Sequence, residues 1–370
     1  MFLPRFHSEI TSELTPRDLL NESADLSRPD RIARSKSSRR GMDHQRYSLI
    51  LAVAVLFASS AGSTLSLELE LPIACEIGQT CFIQNYVDHD PSRGARDYMC
   101  RHQTYDKHDG TDFRLPSVAW ERTGVAVRAA ADGQVLRTRD GMQDVSVRTI
   151  GHEQIKRREC GNTVILAHAD GFESIYCHLQ RGSLRVKPGD TVKRGQDLGR
   201  AGLSGNTEFA HLHFGLRRNG KLVDPFSYGA PNDACGGGTS LWAPRLASAL
   251  SYRPFAILNA GFASHAITSE EIEAGDGIGP PPSINSDIVA YVRAIGLEAG
   301  DVQQLTLTGP DGHVIAQYTV PALANDMAQY ISKAGRKRPE GEWPHGTYRA
   351  TYRVERSGVS LIEKTFELQL

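Results

Sequence analysis

Phe209-Ala210-His211-Leu212-His213-Phe214 places two histidines two positions apart inside an apolar run. In a strand the side chains alternate faces, so both imidazoles would emerge on the same side. Imidazole is the commonest protein ligand for a transition metal and the commonest general base near neutral pH. A strand presenting two of them can hold a metal, activate a water, or divide those tasks. One core histidine beside a chance neighbour would give the same pattern, so the decision falls to the segments around it.

Gly202-Leu203-Ser204-Gly205-Asn206-Thr207 leads into the run, and Asp224-Pro225 closes the unit. Upstream, 162–168 and 172–179 flank Asp170-Gly171, while 125–127 and 135–136 flank Ala131-Asp132-Gly133. Asp-Gly between alternating apolar runs signals a hairpin, and a hairpin is expected at both places. Val186-Lys187-Pro188-Gly189-Asp190 through Leu198-Gly199 reads as two tight turns around a short strand. Residues 137–161 form a long charged excursion with Gly141 and Gly151, and such loops are often functional. Short strands at this spacing indicate a mostly β domain.

Tyr105-Asp106-Lys107-His108-Asp109-Gly110-Thr111-Asp112-Phe113 adds a His and an Asp four apart. Gly110 and its polar neighbours disfavour a helix here, so a loop entering a strand is expected. Imidazole plus carboxylate suits zinc; alone, the segment reads as readily as a surface turn in which Asp112 bonds a local N–H. Together with the histidine pair, the candidates are His108, Asp112, His168 or His178, His211 and His213. A catalytic zinc takes three protein ligands and keeps a position for water, whose pKa it brings toward neutrality. His108, Asp112 and one histidine of the pair supply three ligands. The other, with His178, remains to move protons and steady a developing oxyanion.

A length of 370 residues suggests two or three domains, and 40% hydrophobic with 23% charged residues makes a globular chain. Lys+Arg 42 against Asp+Glu 43 leaves no basic excess to drive nucleic-acid binding. Residues 1–41 are polar and aperiodic, either disordered or translated from a start upstream of a true start at Met42. Arg46, the apolar run 49–58 and Ser59-Ser60-Ala61 make 42–61 a signal peptide. The run falls short of the roughly 20 residues of a membrane span, so contact with a membrane is expected only through this segment; an uncleaved anchor is the alternative. All six cysteines follow it, and an even count in an exported chain implies disulfides, with Cys75 and Cys81 close enough to close a small loop. Cys177 is expected to be structural and to face away from His178.

Residues 62–99 read as a loop-rich extension, and 229–250, with Gly236-Gly237-Gly238, as a linker. Residues 251–370 read as a small antiparallel β-sandwich, with hairpins at Pro310-Asp311-Gly312 and Ser357-Gly358. Its histidines, His265, His313 and His345, are too dispersed to make a site.

His108 to Asp112, Ala131 to Gly133, Tyr176-Cys177-His178-Leu179, Val186 to Asp190, Gly202 to Asn206 and His211-Leu212-His213 occur in one order. That series resembles the lysostaphin/LytM-type zinc endopeptidases of bacterial cell walls, over residues 100–228. The resemblance implies a lysostaphin-type β-sheet, barrel-sandwich-like catalytic domain and a Zn2+ cofactor. It implies His108, Asp112 and His213 as metal ligands and His178 and His211 as catalytic groups, with His168 and Asn206 in supporting positions. It implies peptidoglycan stem peptides as substrate. D-Ala–diaminopimelate bonds in a Gram-negative periplasm are preferred to glycyl bridges. The alternative is a LytM-like regulator of cell-wall amidases, with cell-wall enzymes as partners. The region 1–107, directly before the first ligand, is in a position to cover the groove until removed. Oligomeric state stays open.

Overall fold

The computed structural model describes residues 67–231, 233–275 and 278–370. The segments read as disordered (1–41) and as a signal peptide (42–61) lie outside the described residues. Among the described residues no helix is long and apolar enough to cross a membrane.

The first half contains β1 (Phe82–Asn85), β2 (Thr111–Arg114), β3 (Ala126–Arg128), β4 (Gly133–Arg139), β5 (Asn162–Ala167), β6 (Phe172–Leu179), β7 (Thr191–Val192), β8 (Asp197–Arg200), β9 (His211–Arg218) and β10 (Lys221–Leu222). Short helices α1 (Val118–Arg122), α2 (Val147–Ile150) and α3 (His152–Ile155) lie between them. An antiparallel sheet runs β1-β2-β9-β6-β5-β4-β7, with β10 paired to β9. β9 lies between β2 and β6, and its sequence shows why. Leu212, Phe214 and Leu216 are fully buried in a core with Phe113, Val164, Leu166, Tyr176 and Trp242. Each such side chain contributes about 1.5–3 kcal/mol. The alternate positions, His211 and His213, are left for the opposite face.

The Asp170-Gly171 turn joins β5 and β6 as a hairpin. The one expected at Ala131-Asp132-Gly133 does not form. β3 instead pairs with β8, and β4 pairs with β5 and β7. The Asp132 carboxylate serves a distant turn, accepting from the Arg194 N–H at 2.7 Å and Lys193 Nζ at 2.9 Å. The loop-rich extension supplies β1, which completes the sheet edge beside β2. The linker 229–250 packs down as well. Leu241, Trp242 and Leu250 join the first-half core, because an apolar cluster this large has no cheaper place than the core. Three disulfides are present: Cys75–Cys81 closes the small loop, Cys100–Cys235 pins the linker, and Cys160–Cys177 ties the excursion to β6.

The second half adds β11 (Ala256–Ala263), α4 (Ser269–Ala274), β12 (Ile288–Leu297), β13 (Asp301–Thr308), β14 (Val314–Val320), β15 (Met327–Arg336), β16 (Thr347–Arg356) and β17 (Val359–Gln369). Sheets β11-β12-β15 and β14-β13-β16-β17 face each other across a core that includes Val292, Leu305, Ala350 and Tyr352. Pro310-Asp311-Gly312 and Ser357-Gly358 turn the expected hairpins. The sandwich meets the first half through buried guanidinium groups. Arg114 donates to Gln84 Oε1 at 2.7 Å, Gln329 Oε1 at 2.6 Å and Glu273 Oε2 at 3.0 Å. Arg293, fully buried, bonds Glu273 and the Pro116 carbonyl.

Candidate functional site

β2 and β9 are antiparallel neighbours, in a register that sets Asp112 opposite His213 and Arg114 opposite His211. Facing residues on paired strands share a face, so the carboxylate and the imidazole meet: His213 Nδ1 lies 2.9 Å from Asp112 Oδ1. His108 enters from the turn before β2. Its Nδ1–H donates to the Tyr86 carbonyl at 2.6 Å, which turns the bare Nε2 inward. That nitrogen lies 3.1 Å from Asp112 Oδ2 and 3.2 Å from His213 Nδ1. Gly110 makes this approach possible, since a Cβ there would sit 2.6 Å from His213 Nε2.

His108, Asp112 and His213 each offer a ligand atom, and these lie within 4.8 Å of one another. All three residues are buried or nearly so. Donor atoms this close need a shared proton or a cation between them. Burial alone would lower the pKa of His213, but its bonds to Asp109 and Asp112 raise it to about 10. Burial likewise works to raise Asp112, yet the His108 and His211 imidazoles hold it well below the carboxylate range. Two imidazoles and one carboxylate, oriented by a further layer of hydrogen bonds, are a donor set that fits a divalent transition metal.

His211, next along the same face of β9, has its Nδ1 fixed by the Phe209 carbonyl at 3.0 Å and Thr207 Oγ1 at 3.1 Å. Its Nε2 faces Asp112 Oδ1 at 3.5 Å. His178 is the next-to-last residue of β6, its ring centroid 4.6 Å from that of His211 and 6.0 Å from that of His213. Its Nδ1–H donates to the Ser204 carbonyl at 2.7 Å, leaving Nε2 bare. Burial, reinforced by His211 and His213, pushes its pKa well below the usual range and keeps it neutral.

Cys177 does not face away from the site as strand alternation predicts. It lies opposite His213 in the register, so it shares the histidine face of the sheet. The alternation breaks at a bulge where the β5–β6 register shifts and His178 takes the left-handed φ of 61°. A bulge re-aims a side chain, and here it swings His178 to the same side.

His168 stands apart from these groups, its nitrogens bonded to the Asp132 carbonyl and Ser174 Oγ, both at 2.7 Å. The backbone N–H of Asn206 holds the Glu159 carbonyl at 2.7 Å in the loop before Thr207. Four contributors were not foreseen. Asn85 Nδ2 donates to Asp112 Oδ2 at 2.8 Å, Tyr86 orients His108, Thr207 orients His211, and Asp109 Oδ1 lies 3.3 Å from His213 Nε2. Asp109 and Thr207 stand within four residues of a candidate; nothing in the sequence marks Asn85 or Tyr86.

Residues 106–225 match the model of peptidase family M23. The DD-carboxypeptidase/endopeptidase Mpg of Neisseria meningitidis serogroup B is 32% identical over 129 residues, 35% of this chain and 24% of that protein. The peptidoglycan DD-endopeptidase ShyA of Vibrio cholerae serotype O1 is 30% identical over 124 residues, 34% of this chain and 23% of that protein. The chain thus spans about a quarter of the length of these curated relatives. Among solved structures, a catalytic-domain variant of the prophage-encoded M23 protein EnpA from Enterococcus faecalis is similar to 44% of this chain over 98% of its own, at 23% identity and a TM-score of 0.30. Over residues 106–225, this chain therefore carries a peptidase family M23 domain.

Proposed function

We propose that the chain is an exported zinc endopeptidase that hydrolyses peptide cross-links of peptidoglycan, with the D-Ala–diaminopimelate bond as its target. The observation that carries this reading is the complete set of His108, Asp112 and His213 with two further imidazoles beside it, inside a peptidase M23 domain. His108 Nε2, an Asp112 oxygen and His213 Nδ1 would hold the zinc. Zinc held there would supply a Lewis acid for the scissile carbonyl and would let a water ionise near neutral pH. The bare Nε2 of His211 accepts the proton that the attacking water gives up, and the imidazolium returns it to the leaving amine. His178, neutral and fixed by Ser204, is a second acceptor on the same face.

The names of the two relatives support peptidoglycan as substrate, and three disulfides support export to an oxidising compartment such as the periplasm. A regulator without activity would be expected to lack a ligand, and none of the three is missing. The test is to incubate the exported chain with cross-linked muropeptide dimers, with and without a zinc chelator, and to weigh the products. Chelator-sensitive conversion to monomers, lost in His211→Ala, is the expected result. Dimers left intact by a protein holding one zinc per chain would overturn it in favour of the regulator.

A further inference from the structure

Cys160 and Cys177 belong to a junction that touches both non-ligand histidines. The His178 N–H donates to the Cys160 carbonyl at 2.9 Å, and the His178 Nδ1–H donates to the Ser204 carbonyl at 2.7 Å. Ser204 Oγ accepts from the Asn162 N–H at 2.9 Å and donates to the Leu179 carbonyl at 2.8 Å. The Asn206 N–H reaches the Glu159 carbonyl at 2.7 Å, in the loop that ends at Thr207 and so at His211. The packing leaves no room for slippage: a Cβ on Gly161 would lie 2.2 Å from the Ser204 carbonyl oxygen, and one on Gly205 2.3 Å from that of Glu159. His178 itself is held at a φ of 61°, which costs a residue with a Cβ on the order of 1–2 kcal/mol and persists only where the surroundings enforce it.

We propose that the Cys160–Cys177 disulfide is a positioning device for catalysis, holding His178 in its left-handed backbone and the 204–207 loop under His211. This inference rests on the peptidase reading above. The two halves of the site are braced separately. His108, Asp112 and His213 depend on the β2–β9 pairing and on Asn85 and Tyr86 from the sheet edge. His178 and His211 depend on the start of β5, the end of β6 and the loop before β9, which the disulfide fastens together. Without the bond, Cys160 is tied to its neighbour only by the backbone contact, and the strained residue can relax. Metal binding is expected to survive this and turnover is not.

The full chain carrying Cys160→Ala with Cys177→Ala tests the idea, with Cys75→Ala/Cys81→Ala as the control lacking a disulfide outside this junction. Gly161→Ala serves as a second variant, displacing the Ser204 carbonyl while leaving the disulfide intact. Zinc content, kcat and KM on muropeptide dimers, and site-resolved amide exchange are measured on each. The expected result for both test proteins is one zinc per chain, a kcat lower by on the order of a hundredfold, and a little-changed KM. Amide exchange should quicken at 176–179 and 204–207 but not at 111–113 or 212–214. Unchanged kcat in either test protein, or loss of zinc along with activity, would overturn the proposal. Absence of cleavage by the unaltered chain would instead refute the peptidase reading, and the exchange pattern would still decide whether the disulfide holds His178.

Discussion

The M23 sheet and the C-terminal sandwich are both antiparallel β structures, yet they bury different kinds of side chain. The sheet buries His108, Asp112, His178 and His211, with His213 at 9% exposure, around one another. The sandwich keeps strict alternation in β13, and its core is apolar. Its buried polar groups are few and mostly paired: Asp301 takes two bonds from Arg356, Gln303 accepts from Tyr352, and Arg293 reaches Glu273 and the Pro116 carbonyl. Burying charge without a matched partner is costly, and a chain accepts that cost where chemistry needs it. On the proposed reading, activity lies in one region and stability in the other, so substitutions in the two should have separable effects.

His213→Ala puts the contrast under the most strain. It should abolish zinc binding and cleavage together while costing the metal-free protein less than a core truncation does, as metal analysis and thermal melts would show. A loss of stability as large as that of a core truncation would break the contrast. His211→Ala should keep the zinc and lower kcat by about 10²–10⁴. In the sandwich, Leu305→Ala removes a fully buried side chain and should cost about 2–5 kcal/mol by urea titration, with kcat unchanged. Asn85→Ala withdraws the hydrogen bond to Asp112 and should weaken zinc binding by about 10–100-fold, read by chelator competition. The smallest effect concerns pH in the metal-free protein. Burial alone would raise the pKa of Asp109, but its bonds to His213 and Arg217 hold it at about 2, against an ordinary 3.8. A depressed carboxylate stabilises the fold above its ordinary value and loses that contribution as pH falls through the folded one. The melting-temperature gap between the wild type and Asp109→Asn should therefore be constant between about pH 4 and 6.5 and close as pH falls toward 2.

The separation also explains what could be read beforehand. His211 and His213 were legible because β9 is regular, and alternation then dictates a shared face. The sandwich was legible because its hairpins close locally at Asp311-Gly312 and Ser357-Gly358. Asp132-Gly133 misled because strand partners are chosen over long distances, and a local turn signal carries no information about β8. The side taken by Cys177 was misjudged because one left-handed residue, His178, breaks the period on which the inference depends. Asn85 and Tyr86 were invisible because the fold, and no motif, brings them to the sheet edge. Their place there also changes the meaning of the segment before His108. Asn85 at the end of β1 and Tyr86 just after it brace the candidate metal site, so a chain cut near residue 100 should lose activity, where removal of a cover would raise it.

The three disulfides span very different lengths of chain, 6 residues for Cys75–Cys81, 17 for Cys160–Cys177 and 135 for Cys100–Cys235. If the chain is exported from its N-terminus, the two short loops can close as soon as they emerge. Cys100, eight residues before His108, has to wait as a free thiol until the whole M23 domain has passed. During that interval Cys160 and Cys177 go by as rival partners. The order of oxidation is thus part of how the site is assembled, and the prompt closing of Cys160–Cys177 removes the two thiols that would otherwise capture Cys100 first.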